Sequence, residues 1–190
     1  MTASPSRLDP VSLWVTRILN PAVLAALTFA CQSYYGVSSW SGAVWATVWG
    51  PGIPTAYAIG AKLAGRSDTV FLRGRQRVLP LAIASLACLV GVWHAGGETD
   101  LALLLCAYGL FALLSAGISW WWPISLHAAG VAIPFAYVVS SGFGVVVGVS
   151  TILLVGWARL HRQEHSLGQV VAGFCGGVVA YAASYTITIG

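Results

Sequence analysis

The chain has 190 residues, of which 58% are hydrophobic and only 7% charged. Soluble domains carry about 25% charged residues, so this composition excludes an ordinary water-soluble core and predicts a single membrane domain over residues 1–190. The net charge of +4 and the four isolated cysteines indicate neither a nucleic-acid partner, nor a disulfide framework, nor a zinc site.

Taken in chain order, the apolar runs predict an all-α bundle of about six to seven transmembrane helices. Residues 1–20 form a polar start and a short amphipathic lead-in, without the features of a cleavable signal peptide. Asn20-Pro21 then marks a helix start, because proline fits the first helical position. Pro51 and Pro54 predict a kink in the second run, which serves either packing or a widened pocket for a substrate chain. The runs lie at about 21–35, 40–64, 78–93, 101–119, 127–139, 143–158 and 168–187.

Three polar clusters follow the second, fourth and sixth runs, at 66–77, 125–127 and 159–165. Because an even number of crossings separates them, all three are predicted on one face of the membrane, where a bundle can join them into one site. All nine Lys and Arg residues fall on that side in this count, which predicts the cytoplasmic face of a multi-pass cell-membrane protein. If these arginines bind a ligand instead, their position is weaker evidence for topology.

The clusters combine arginines with three histidines and two serines, and they contain neither an acidic pair nor a cysteine cluster. The planar guanidinium matches phosphate oxygens, and histidine can attack phosphorus or protonate a leaving oxygen. Each cluster also has a simpler interpretation: topology anchors, surface histidines and a helix cap at Ser125. Their arrangement on one predicted face favours an anion site over these interpretations.

In order and spacing these residues resemble the type 2 phosphatidic acid phosphatase superfamily, which includes lipid-phosphate and polyprenyl-diphosphate phosphatases and vanadium haloperoxidases. The third family motif corresponds to Arg159 followed by His165, with Gln169 where the family has aspartate. The second corresponds to Ser125-Leu126-His127, with leucine in place of glycine. The first corresponds to the stretch from Arg73 to Pro80, and the resemblance covers about 68–177.

The resemblance implies hydrolysis of a lipid-linked phosphate or diphosphate through a phosphohistidine, without a metal or other cofactor. His165 is the implied nucleophile, and His127 is the implied acid that protonates the leaving oxygen. The implied phosphate-binding residues are Arg159, Arg77, Arg75, Arg73 and Ser125.

Gln169 departs from the family pattern in a way that affects His165. A neutral amide accepts a hydrogen bond from the imidazole but stabilises a developing cation less than a carboxylate does. Turnover is therefore expected to be lower unless another acceptor contributes, and Glu164 is predicted to point elsewhere.

The small loops leave little room for a soluble substrate domain, so the substrate's tail is predicted to enter from the bilayer. A cytoplasmic site favours a polyprenyl-phosphate-linked sugar phosphate or a prenyl diphosphate. Two alternatives stay open: transfer of the phosphoryl or lipid group to an acceptor other than water, and a non-catalytic lipid-phosphate binding or transport protein.

Overall fold

The computed structural model describes residues 10–65, 74–141 and 144–190, and over these ranges the chain is all-α, as predicted. A π-helical turn, Val48–Gly52, lies between the third and fourth helices, and a 3-10 turn, Gly74–Arg77, precedes the fifth. The helices are α1 (Pro10–Ile18), α2 (Pro21–Tyr34), α3 (Trp40–Thr47), α4 (Ile53–Leu63), α5 (Val78–His94), α6 (Thr99–Ile118), α7 (Leu126–Ser140), α8 (Val145–His161) and α9 (Leu167–Thr188).

The second apolar run contains the predicted kink. Pro51 lies inside the π-helical turn that separates α3 from α4. Proline has no N–H to donate to the helical ladder, so the regular α-helical bonding pattern cannot pass through it. Gly52 follows in a tight space, because a Cβ there would lie 2.9 Å from the Thr47 carbonyl oxygen.

The amphipathic lead-in forms α1, with its apolar side facing outward. Trp14 and Ile18 are each 58% exposed, whereas Ser12 and Thr16 are buried. The helix packs against α8 and meets α2 at a bend of 45°. Asn20 caps α2 at this bend, since its side-chain oxygen accepts the Ala22 N–H at 2.9 Å. An outward apolar face of this kind suits a hydrocarbon or interfacial environment.

The core is centred on α6, which packs against α5 and α9. Leu101, Leu104 and Leu105 are fully or almost fully buried. The outer surface, by contrast, exposes large apolar side chains such as Leu86, Leu153 and Ile187. Many large exposed apolar side chains are unfavourable in water and favourable in a bilayer.

By length and composition, α6 and α9 can each cross a membrane, and the bent pair α1–α2 makes a third candidate span if it acts as one. The apolar helices α5, α7 and α8 have 17, 15 and 17 residues. At about 1.5 Å per residue they are shorter than the roughly 30 Å hydrocarbon core. The described helices therefore support a membrane protein with two or three spans. This number is smaller than the six to seven crossings that the sequence predicts.

Candidate functional site

The described residues of the predicted polar clusters lie where α5, α7 and α9 begin and α8 ends, a region we call the site end. Arg77 donates from Nη1 to the carbonyl of Ile124 at 3.3 Å, which ties the start of α5 to the start of α7. The Ser125 N–H donates to the Gln169 carbonyl at 3.1 Å, which ties α7 to the first turn of α9. Residues far apart in the chain thus meet through hydrogen bonds to backbone carbonyl groups.

Two glycines allow α9 to approach α7 this closely. A Cβ at Gly173 would overlap the Ser125 carbonyl oxygen, and one at Gly177 would lie 2.9 Å from the Ala132 Cβ. Glycines spaced four residues apart lie on one face of a helix and let a neighbouring helix approach closely. The site therefore rests on a contact between two backbones.

Ser125 serves as the N-cap of α7. Its side chain is fully buried, and its hydroxyl oxygen accepts the Ala128 N–H at 3.4 Å. The simpler interpretation of this residue is therefore realised in the fold. A capping hydroxyl that accepts through its oxygen still carries a proton to donate, so the cap does not prevent a contact with a ligand oxygen.

The two predicted histidines share one electrostatic environment. His127 lies in the first turn of α7 with 7% exposure, and Arg159, His165 and Arg77 are close enough to act on its charge. His165 lies between α8 and α9 and is partly buried. The structure therefore brings two histidines and two arginines together.

The surroundings of His165 favour its neutral form. Burial lowers its pKa below the ordinary 6.5, and the positive charges of Arg77 and Arg159 add to this effect. The hydrogen bond to Gln169 and the negative charge of Glu164 raise the pKa in the opposite direction. At neutral pH the ring thus keeps a lone pair that can attack an electrophile.

Gln169 forms a hydrogen bond with His165. Its side-chain oxygen lies 3.3 Å from His165 Nδ1 and accepts the Ser166 N–H at 3.0 Å. A backbone N–H can only donate, so the shared atom is an acceptor and Nδ1 carries the proton. The lone pair is then on Nε2. Gln169 also completes the capping box of α9 with Ser166.

Arg159 is a buried cation with part of its hydrogen-bonding capacity unused. Its exposure is 4%, and its Nη1 donates to the Glu164 carboxylate. Its Nε and Nη2 are buried and have no hydrogen-bond partner among the described residues. These two nitrogens form one edge of the guanidinium fork, which binds two oxygens of an anion. Leaving a buried charged donor unsatisfied costs about 1–3 kcal/mol or more, so the edge favours an anionic ligand.

The prediction that Glu164 points away from the site is wrong, because its carboxylate binds Arg159. One carboxylate oxygen accepts from Arg159, and the other accepts from Arg162 Nε at 2.8 Å. The contact between Arg159 and Glu164 joins residues that are five apart, at the end of α8. Helical spacing of three or four residues does not predict such a contact.

The remaining predicted residues have other positions. Arg73 and the side chain of Arg75 lie outside the described part of the chain, so their roles stay predictions. His161 stacks on Trp157, with ring centroids 5.2 Å apart. Over the described ranges, no group of three His, Cys, Asp or Glu side chains is suited to hold a metal ion.

An apolar cavity of about 260 Å³ lies beside these residues, between α7, α8 and α9. Its lining includes Ala128, Leu160 and Leu167, which lie within two residues of the site residues in sequence. Phe174 and Val171 extend the lining along α9. A space suited to hydrocarbon thus lies between the helices that carry His127, Arg159 and Gln169.

Comparisons of the chain with protein-family models, with curated proteins and with solved structures gave no match.

Proposed function

We propose that this protein is a membrane-embedded phosphatase that hydrolyses a lipid-linked phosphate or diphosphate through a phosphohistidine. The observation that carries the proposal is the buried Nε and Nη2 edge of Arg159, beside His127 and His165. A phosphoryl group offers oxygens for a bidentate contact and a phosphorus atom for nucleophilic attack. The resemblance of the three motifs to the lipid phosphatases supports the same class.

In the proposed first step, Nε2 of His165 attacks phosphorus, and the bond from phosphorus to the leaving oxygen breaks. His127 gives its proton to that oxygen, which leaves as an alcohol or a monophosphate. Arg159 and Arg77 bind the non-bridging oxygens, whose charge grows in the transition state. The incoming phosphate carries negative charge, which favours the protonated form of a nearby histidine.

In the second step, water attacks phosphorus and the bond from phosphorus to Nε2 breaks. His127, now neutral, takes the proton of the attacking water, and inorganic phosphate leaves. The imidazole of His165 returns to its starting form, with Nδ1–H directed at Gln169. Each step transfers one proton through one histidine, so the cycle closes without another reactant.

The substrate is a lipid in this proposal because the apolar cavity adjoins the cationic site and the outer surface is apolar. We also propose a multi-pass arrangement of six to seven crossings in the cell membrane. The short helices α5, α7 and α8 would cross in it with local thinning of the bilayer. The one-sided arginines favour a cytoplasmic site, which suits a polyprenyl-phosphate-linked sugar phosphate or a prenyl diphosphate.

The proposal is tested by measuring phosphate release by the purified full chain in detergent. The substrates are phosphatidic acid, a prenyl diphosphate and a polyprenyl phosphate. We expect release from at least one of them, loss of release in His165→Ala, and near-normal release in His161→Ala. His161 is the matched control because its ring stacks on Trp157.

The same assay distinguishes the alternatives. Binding of the lipid phosphates without any release by the wild-type chain would contradict catalysis and favour a binding or transport protein. Phosphoryl transfer to an added alcohol in strong preference to water would favour a transferase. Full release by His165→Ala would contradict the covalent mechanism.

A further inference from the structure

The chain reverses direction at the end of α8, which places Glu164 beside the last turn of that helix. The Gln163 N–H donates to the Leu160 carbonyl at 3.0 Å, and the Glu164 N–H donates to the Arg159 carbonyl at 3.2 Å. Gln163 has a φ of 52°. These two bonds and one left-handed residue make a Schellman motif, which usually has glycine at the left-handed position. The reversal directs residue 164 toward the buried Arg159.

The carboxylate of Glu164 bridges a buried and a more exposed arginine. The side chain of Arg159 is 5% exposed and that of Glu164 27%. Glu164 binds Nη1 of Arg159, the nitrogen opposite the Nε and Nη2 edge. The contact therefore restricts the guanidinium without covering the edge assigned to phosphate.

The site has more positive groups than negative ones. The groups that act on His165 are Arg77 from the start of α5, Arg159 from α8, Gln169 from α9 and Glu164 from the turn, and His127 from α7 is also near. Glu164 is the one carboxylate among the described residues in this set. Gln169, which contacts His165 directly, is a neutral amide. The counter-charge to a positive imidazole thus comes from Glu164.

We propose that Glu164 is the positioning carboxylate of this site. It fixes Arg159 through Nη1, and its negative charge stabilises the positive charge that develops on His165 during phosphoryl transfer, which the Gln169 amide cannot do. This inference rests on the proposed phosphatase function. A bridging carboxylate of this kind has a different effect on turnover than on ground-state binding, because it also repels the phosphate.

The test compares Glu164→Gln with wild type in the purified full chain. Orthovanadate binding is the probe for the phosphate site, and kcat, KM and their pH profiles are measured with whichever lipid phosphate the wild type hydrolyses. We expect kcat to fall roughly tenfold to 100-fold, because an interaction used in the transition state is lost. Orthovanadate binding should be unchanged or tighter, since a negative charge is removed.

The pH profile gives a readout that a purely structural role would not change. Removing the negative charge of Glu164 lowers the pH at which His165 becomes protonated, so the acid limb of kcat/KM should move to lower pH. Adding Gln169→Asp to Glu164→Gln restores a carboxylate beside His165. The double variant should recover part of kcat and move the acid limb back toward higher pH.

Glu98→Gln is the matched control, because Glu98 binds Ser39 away from these residues. It should leave kcat, the acid limb and orthovanadate binding unchanged. A wild-type kcat and acid limb in Glu164→Gln would overturn the inference while leaving the phosphatase proposal intact. A folded double variant without any recovery would overturn the assignment of the counter-charge to Glu164. If the wild type neither hydrolyses the lipids nor binds orthovanadate, the proposed function itself fails.

Discussion

The two ends of the helical bundle use the same residue types for different purposes. The far end is where α5 and α7 end and α3 and α6 begin. There Glu98 accepts the N–H and the hydroxyl of Ser39 at 2.8 and 2.7 Å. At the site end Glu164 instead binds two arginines, and one of them keeps an unsatisfied buried edge. A carboxylate matched by neutral donors indicates a structural contact, whereas surplus cations with unused donors indicate a ligand site.

The histidines show the same contrast. At the far end His94 lies 3.0 Å from the Val90 carbonyl through Nδ1, and its ring stacks on Trp49 at 5.3 Å. Trp93 meets the same ring edge-on at 4.8 Å. His165 contacts the Gln169 amide and lies near arginines. Aromatic contacts hold the His94 ring in place, whereas burial and neighbouring arginines lower the pKa of His165 and favour its neutral form.

Of the proposed changes, replacing the histidine at each end should give the largest difference in turnover between the two ends. His165→Ala should lower kcat by roughly 10³-fold or more, because the proposed nucleophile is removed. His94→Ala should keep kcat and lower the unfolding temperature, since only packing is lost. The measurement is phosphate release together with thermal unfolding in detergent.

In wild type, kcat/KM should fall with acidification below pH 6.5, where His165 gains its proton.

A milder change at Arg159 tests its bidentate edge. Arg159→Lys keeps the positive charge but removes the planar fork, so turnover should fall roughly 10²-fold. Arg17→Lys is the control, because Arg17 is exposed in the last turn of α1. Near-normal turnover in Arg159→Lys would mean that this arginine contributes charge alone.

Labelling from outside intact cells tests whether the two ends lie on opposite faces of the membrane. Single cysteines replace Arg162 at the site end and Gly97 at the far end, in a chain without its four native cysteines. A membrane-impermeant reagent should label the cysteine at 97 and leave the one at 162 unlabelled. Rapid labelling at 162 would overturn the cytoplasmic placement, although the phosphatase proposal would stand.

The smallest expected effect is at the left-handed residue that precedes Glu164. Gln163→Gly removes the strain of a positive φ but adds flexibility to the unfolded chain. The balance should raise the free energy of unfolding by about 0.5 kcal/mol. Turnover should stay within about twofold of wild type if the turn keeps its shape. A stability loss measured by denaturant unfolding would mean that the glutamine side chain itself supports the turn.

Local sequence signals determined much of this protein. Hydrophobic runs predicted an all-α membrane domain, and Asn20 and Ser125 behave as helix caps because capping depends on neighbouring residues. The same signals predicted Pro51 as a break. The choice of Arg77, Ser125, His127, Arg159, His165 and Gln169 as one site also came from the sequence, and the structure brings these residues together.

Only the tertiary structure decided which partner each charged group has. The contact of Glu164 with Arg159 depends on a left-handed turn at Gln163, a conformation that its residue type does not favour. The pairing of Glu98 with Ser39 depends on packing between segments 59 residues apart. The outward apolar face of α1 likewise depends on its contact with α8. Sequence periodicity defines the faces of a helix, but only packing against distant elements determines which face is buried.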